Sequence, residues 1–243
     1  TDITVNWTAS SGATGYRLDV STEEEFGTAV VANDLFFSEY IEGGSSEKYI
    51  EIYNGTGASV DLSDYRLFLF SNGSATPTTT NILSGTLANG SVAVYRNASA
   101  TNLIGTVAGV VNYNGDDAVA LWKVSTASYV DIFGRIGEDP GTAWTNGTYS
   151  TLDKTLVRKS TVLGGVTSNP ATNFPTLATE WDLYAINTEQ YLGSHTFAGG
   201  TTPSYVAGYS NLYVAGTSQL VEGLEEATTY YFRVRAEGDG GCP

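Results

Sequence analysis

Apolar and polar positions alternate along most of this chain. Ile3, Val5 and Trp7 follow that rhythm, as do Tyr16, Leu18 and Val20, and near the other end Tyr230, Phe232 and Val234. Between them Tyr49, Glu51 and Tyr53 interleave with Ile50 and Ile52, and shorter alternations occur at Leu67 and Leu69, Val92 and Val94, and Val119 and Leu121. A period of two over short runs predicts strands with one buried face. The runs are bounded by turn dipeptides, Asn54-Gly55, Asn72-Gly73, Asn89-Gly90, Asn114-Gly115 and Asn146-Gly147, whose residues accept the positive φ that tight hairpins require. Helical periodicity is scarce. The pattern predicts an all-β protein built from β-sandwiches, and 243 residues are enough for two.

The order of the segments predicts how the two are arranged. Residues 1–28 read as two strands joined by the loop Ser10-Ser11-Gly12-Ala13-Thr14-Gly15, with Trp7 ending the first and Tyr16 opening the second. This resembles the second and third strands of a fibronectin type III domain. The stretch LVEGLEEATTYYFRVRAEG resembles the sixth strand of the same family, with Leu224, Thr228 and Tyr230 on its corner motif and Glu226 where proline is usual. Joining Thr28 to Pro203 gives a continuous run of that kind. Residues 1–28 and 203–243 are therefore expected to form one fibronectin-like unit, and residues 29–202 a domain inserted into it, as a hairpin loop with adjacent ends permits. The fibronectin-like unit lacks its first and last strands and the chain has no Met, so an excerpt from a longer multidomain protein is expected.

Inside the predicted insertion, the runs KYIEIYN at 48–54, VDLSDY at 60–65 and GDDAVAL at 115–121, followed by LGSHTF at 192–197, come in a characteristic order. Over roughly 35–197 the chain resembles the bacterial lamin-tail domain, an immunoglobulin-like sandwich. The resemblance implies an accessory role, because such domains accompany extracellular nucleases, phosphatases and surface proteins. A shared fold does not itself confer an activity.

Charge narrows the partners. With 26 Asp and Glu against 11 Lys and Arg, the net charge is −15. Nucleic-acid binding draws its affinity from clustered cations, and Arg96, Arg135, Arg158 and Lys159 form no basic stripe, so no nucleic-acid partner is expected. No run approaches the roughly 18 apolar residues of a membrane span. The one cysteine, Cys242, excludes an internal disulfide and a Cys/His zinc cluster.

Chemistry-bearing residues are few. The sole histidine, His195, falls in the LGSHTF run, where the resemblance implies a structural closing strand. No Gly-x-Ser-x-Gly elbow, P-loop or dinucleotide fingerprint occurs. The turn Asn114-Gly115-Asp116-Asp117 offers two adjacent carboxylates, and Glu51, with Glu39 and Glu42, adds oxygens in the same domain. Such donors suit calcium, and Asp116, Asp117 and Glu51 are the candidate ligands. The competing reading is an Asn-Gly turn whose carboxylates cap backbone N–H groups. The run Glu23-Glu24-Glu25 reads as a solvated loop. Trp7, Trp122 and Tyr230 are expected in the cores. Trp144, after Asp139-Pro140-Gly141, is the best candidate for an exposed recognition aromatic, although a core position is favoured for it too.

The expectation for the whole is a non-catalytic structural or interaction module of a secreted or cell-surface bacterial protein, requiring no cofactor. It would meet a protein or glycan at the cell surface, or associate through neighbouring domains of a longer chain. The alternatives are an accessory domain of an extracellular nuclease or phosphatase, and a carbohydrate-binding module.

Overall fold

The structure, a computed structural model, describes residues 1–24, 26, 31–199 and 205–238. Glu25, Thr28, Pro203 and Cys242, and the boundaries expected beside residues 28 and 203, lie outside the described residues. Among the described residues the chain is all-β apart from a four-residue helix, Leu177–Glu180, and two single 3-10 turns. Among the described residues no helix is long and apolar enough to cross a membrane. By its internal contacts the chain divides into two compact units, Thr1–Ala29 with Gly200–Pro243, and Val30–Gly199.

In the first unit the two ends of the chain share sheets. The Gly15–Ser21 strand lies between Leu212–Val214 and Tyr231–Glu237, and Ile3–Asn6 pairs with Ser218–Val221, all antiparallel. Leu18, Val20, Val214, Val221 and Leu224 form its core. Trp7 and Tyr230 pack against that core and remain only partly buried, although the Trp7 ring nitrogen is itself buried. Trp7 meets Tyr16 edge-on, with ring centroids 5.5 Å apart.

The second unit is a β-sandwich. Its larger sheet runs Thr106–Val107, Val92–Arg96, Lys48–Tyr53, Phe36–Glu42, Lys154–Arg158, Trp181–Tyr184. Its smaller sheet runs Ser128–Phe133, Ala118–Lys123, Tyr65–Phe70, Thr79–Ile82. All neighbours are antiparallel except Thr106–Val107, which lies parallel to Tyr95 and Arg96. Gly105 permits that approach, since a Cβ there would come within 2.3 Å of the Val94 carbonyl. The main core includes Tyr40, Ile50 and Leu156 from the larger sheet and Leu67, Val119 and Leu121 from the smaller. Tyr40 is stacked between Tyr113 and Phe133, at 4.6 and 4.1 Å between centroids. Each such side chain contributes about 1.5–3 kcal/mol by leaving water.

The alternation predicted strands buried on one face, and here the structure differs. Phe36–Glu42 and Lys48–Tyr53 are buried at every position. The inner face meets the smaller sheet. On the outer face Ile41, Tyr49 and Val94 pack with Leu192, and Phe36 and Tyr53 pack with Phe197. The run expected as a closing strand forms no strand. Residues 193–199 cross the outer face as irregular chain.

Candidate functional site

The acidic turn precedes the Ala118–Lys123 strand. Asp116 and Asp117 are both buried, and burial is the first cause that raises the pKa of each from its ordinary value. Asp117 Oδ1 accepts the backbone N–H of Asn72 at 2.8 Å. With its amide turned so that Nδ2 faces the carboxylates, Asn114 donates to Asp117 Oδ2 at 3.0 Å and Asp116 Oδ1 at 2.5 Å. Trp144 closes over the turn, its ring N–H donating to the Asp117 carbonyl at 2.9 Å and its backbone N–H to Thr151 Oγ1 at 3.0 Å. Trp144 is fully buried, so the reading of it as an exposed recognition aromatic is corrected: its indole N–H has its partner inside the protein.

Glu51 is not brought to this turn. Among the described residues no group of three or more His, Cys, Asp or Glu is placed to hold a metal ion. The oxygens of Asp117 instead receive donors from the chain itself, the work of a cap. Asp117→Ala is expected to cost about 1–2 kcal/mol, through the loss of the charge-assisted bonds from the Asn72 N–H and the Asn114 amide. The loss should be the same in millimolar calcium and in chelator. A thermal melt in both conditions checks this, since a bound ion would raise the midpoint of the parent chain only.

Glu51 stands instead on the outer face of the larger sheet, directly opposite Glu39 across the strand pair. Both are buried, at 0 % and 1 % exposure. Glu51 accepts from Ser38 Oγ at 2.7 Å and from the Gly193 N–H at 2.7 Å. Neither carboxyl oxygen of Glu39 has a hydrogen-bond partner. Burial, then the nearby Glu51 and Glu189, push the Glu39 carboxyl up to about 9. Burial pushes Glu51 up to about 7, against the pull of its two donors. Placing like acidic residues opposite one another on a buried face is destabilising unless a proton neutralises them.

Beside this pair a cleft of about 250 Å³ opens between the edge strand and the covering segment, lined by Asp182, Tyr184, Tyr191, Ser194 and His195 among others. Its histidine lies edge-on to Tyr53 and Phe36, at 4.9 and 5.8 Å between centroids. Burial, then the neighbouring Arg158, drives His195 down to about 4, which leaves it neutral at physiological pH. Its Nε2 is buried without a partner. A wider groove of about 430 Å³, lined by Asp34, Asp61, Asp64, Tyr65 and Lys123 among others, lies elsewhere on the same unit. There Asp34 accepts from Lys123 Nζ at 2.8 Å and from the Tyr65 hydroxyl at 2.5 Å. Asp61 and Asp64 serve as backbone caps for Ser63 and Ser125, each at 2.8–2.9 Å.

Sequence reasoning missed one buried charge cluster. Asp131 and Arg158, at 0 % and 2 % exposure, meet at 3.2 Å, and Arg158 also pairs with Glu180 at 2.7 Å. The available signal was an Asp in the middle of the apolar run Tyr129-Val130-Asp131-Ile132-Phe133.

Comparison with known proteins agrees with this architecture. The family model of the lamin tail domain matches residues 28–137, a stretch that ends before the Lys154–Arg158 and Trp181–Tyr184 strands. No curated protein and no solved structure matches the chain.

Proposed function

We propose that this chain is a non-catalytic structural and interaction module of a secreted or cell-surface bacterial protein, serving adhesion, surface display or spacing. The observation that carries the reading is the lamin-tail match on a sandwich whose reactive groups are already spent on holding it together. Arg158 is consumed by Asp131 and Glu180, Lys123 by Asp34, and Asp117 by Asn72. His195, neutral and wedged between aromatic rings, makes a poor general base at neutral pH.

The smaller unit supports a fibronectin-like host for that module. The Glu225 N–H donates to the Tyr230 hydroxyl at 3.0 Å, tying a tyrosine at a strand entrance to the chain just upstream. Immunoglobulin-like sandwiches use this device to fix a corner. The Ser10 N–H donates likewise to the Tyr16 hydroxyl at 2.9 Å.

The test is an assay of the purified chain against plasmid DNA and a phosphomonoester with magnesium, manganese or calcium, together with passage over immobilised DNA. No turnover and no retention at moderate salt are expected, since a net charge of −15 repels the phosphate backbone. Metal-dependent cleavage that persists through purification and is lost in Asp117→Ala would overturn the reading.

A further inference from the structure

Segment 185–199 covers the outer face of the larger sheet without forming a strand on it. Its hold is therefore a handful of discrete attachments instead of a hydrogen-bond ladder. Asn187 Oδ1 accepts from the Gly44 N–H at 2.9 Å, Glu189 accepts from Asn102 Nδ2 at 2.9 Å, and the Ala198 N–H donates to the Ser160 carbonyl at 2.7 Å. Leu192 and Phe197 supply the apolar contacts. His195 packs edge-on against Tyr53 and Phe36, Tyr191 packs on Tyr184, and the Gly193 N–H donates to Glu51. A segment held this way opens at a lower free energy than the sheet beneath it.

What it covers is unusual. The lateral row across the outer face runs Val94, Glu51, Glu39, Val157, Asp182. The two glutamates at its centre sit in register, and the titratable groups around them are of no help to a negative charge. From the segment come Glu189, Tyr191 and the neutral His195, and from the edge strand Asp182 and Tyr184. Behind the sheet lies Tyr113, itself pushed up by burial and then by Glu42 and Glu39. The nearby cations are committed elsewhere, Lys48 to Glu42 and Arg158 to Asp131 and Glu180. The two glutamates are also not equivalent. Glu51 has two donors, which offset part of its burial and hold its carboxyl below that of Glu39. Glu39 has none.

We propose that Glu39 is a proton-held latch for segment 185–199: while its carboxyl keeps a proton the segment stays seated, and loss of that proton releases it and uncovers the outer face. The direction follows from linkage. A carboxyl held above its ordinary value by the closed state favours closure fully at acid pH, and that preference is lost as pH rises toward the closed-state value of about 9. Release lets water reach Glu39 and puts distance between it and Glu189. Between roughly pH 7 and 9 the open fraction then grows about tenfold per pH unit, because one proton leaves with each opening, and below the Glu51 value of about 7 the slope is steeper because that carboxyl can lose a proton as well. The face laid bare carries Phe36, Ile41, Tyr49 and Tyr53, so the surface this module presents to a partner depends on pH.

Hydrogen exchange of the full chain, followed amide by amide from pH 5 to 8, tests the latch. The protection factors of the Gly193 and Ala198 amides are expected to fall at least tenfold per pH unit. Those of Val119 and Leu121 should hold constant and serve as an internal reference. Glu39→Gln, which imitates the protonated acid, should flatten the dependence above pH 7, and Glu51→Gln should leave a slope there while lowering protection at Gly193. A flat profile in the parent chain, an equal slope in Glu39→Gln, or a parallel fall at Val119 and Leu121 would each overturn the proposal. The parent-chain profile decides even if a variant fails to fold.

Discussion

Asp131→Ala is expected to be among the most damaging single changes in this molecule, costing about 3–5 kcal/mol, because it strips a buried guanidinium of its fully buried carboxylate partner and leaves it only the part-exposed Glu180. Asp131 lies on the Ser128–Phe133 strand of the smaller sheet and reaches across the core. Its Oδ2 accepts the Phe37 N–H at 2.9 Å and an Arg158 N–H at 3.2 Å, and its Oδ1 accepts the Val166 N–H at 2.7 Å. The Phe37 donor is free for this because the pairing between Phe36–Glu42 and Lys48–Tyr53 slips between Phe37 and Glu39. A bulge of this kind takes a residue out of the ladder and re-aims its backbone, and here the spare N–H staples one sheet to the other. Alanine leaves two backbone donors and one face of the Arg158 guanidinium without an acceptor, while Glu180 and the Gly164 carbonyl still meet its Nη2. A denaturant titration of Asp131→Ala beside Asp131→Ala/Arg158→Met reads the effect. The double variant removes the half-paired charge and leaves Glu180, which is part-exposed and already held above its ordinary value by burial, so it should be the more stable of the two, by about 1 kcal/mol. If the double variant is the less stable, Arg158 acts through its packing on Trp181, 4.8 Å from the ring centroid, and not through its charge.

The same strands show how far the sequence could be read. Alternation located Gly15–Ser21, Lys48–Tyr53, Ala118–Lys123 and Tyr231–Glu237 correctly, because period two is a local property of pleated chain. It could not tell that Phe36–Glu42 and Lys48–Tyr53 have two covered faces, since the cover arrives from residues 192–197, well over a hundred positions later. Glu39 and Glu51 therefore read as oxygens available in the same domain, and Glu51 as a candidate donor for calcium. Their burial is a tertiary fact. The acidic turn was legible in part: Asn114-Gly115 announced a tight turn, and a capping role for Asp117 was one of the two readings its side chain allowed. Which donor it caps, the Asn72 N–H from a different turn, lies beyond any local pattern. Arg158 was counted as one of several scattered cations. Only the register that pairs it with Trp181, on the face turned toward Asp131, makes it a core residue.

Trp144 marks the other large expected effect, and it turns on the same limit. Following Asp139-Pro140-Gly141, it could be read as a loop aromatic, yet its side chain is wholly buried in the main core of the sandwich. The space for it is made by Gly134, whose backbone at φ +81° lies so near the indole that a Cβ would stand 2.8 Å from Nε1. The indole N–H then completes the Asp117 carbonyl, so one side chain fills the core and closes the acidic turn together. Trp144→Ala is expected to cost about 3–5 kcal/mol through the cavity it leaves. Trp144→Phe keeps much of the volume and loses the donor, leaving the Asp117 carbonyl buried and unpaired. About 1–3 kcal/mol is expected for it. Gly134→Ala should approach the cost of the alanine variant at 144 from the opposite direction, through a strained left-handed residue and a clash with the ring. In combination with Trp144→Ala the clash disappears and only the backbone strain remains, so the two losses should fall short of additivity by at least 1 kcal/mol in a double-mutant cycle. Additive losses would mean that Gly134 and Trp144 are not packed as described, and the account of how the turn is closed would fall with that contact.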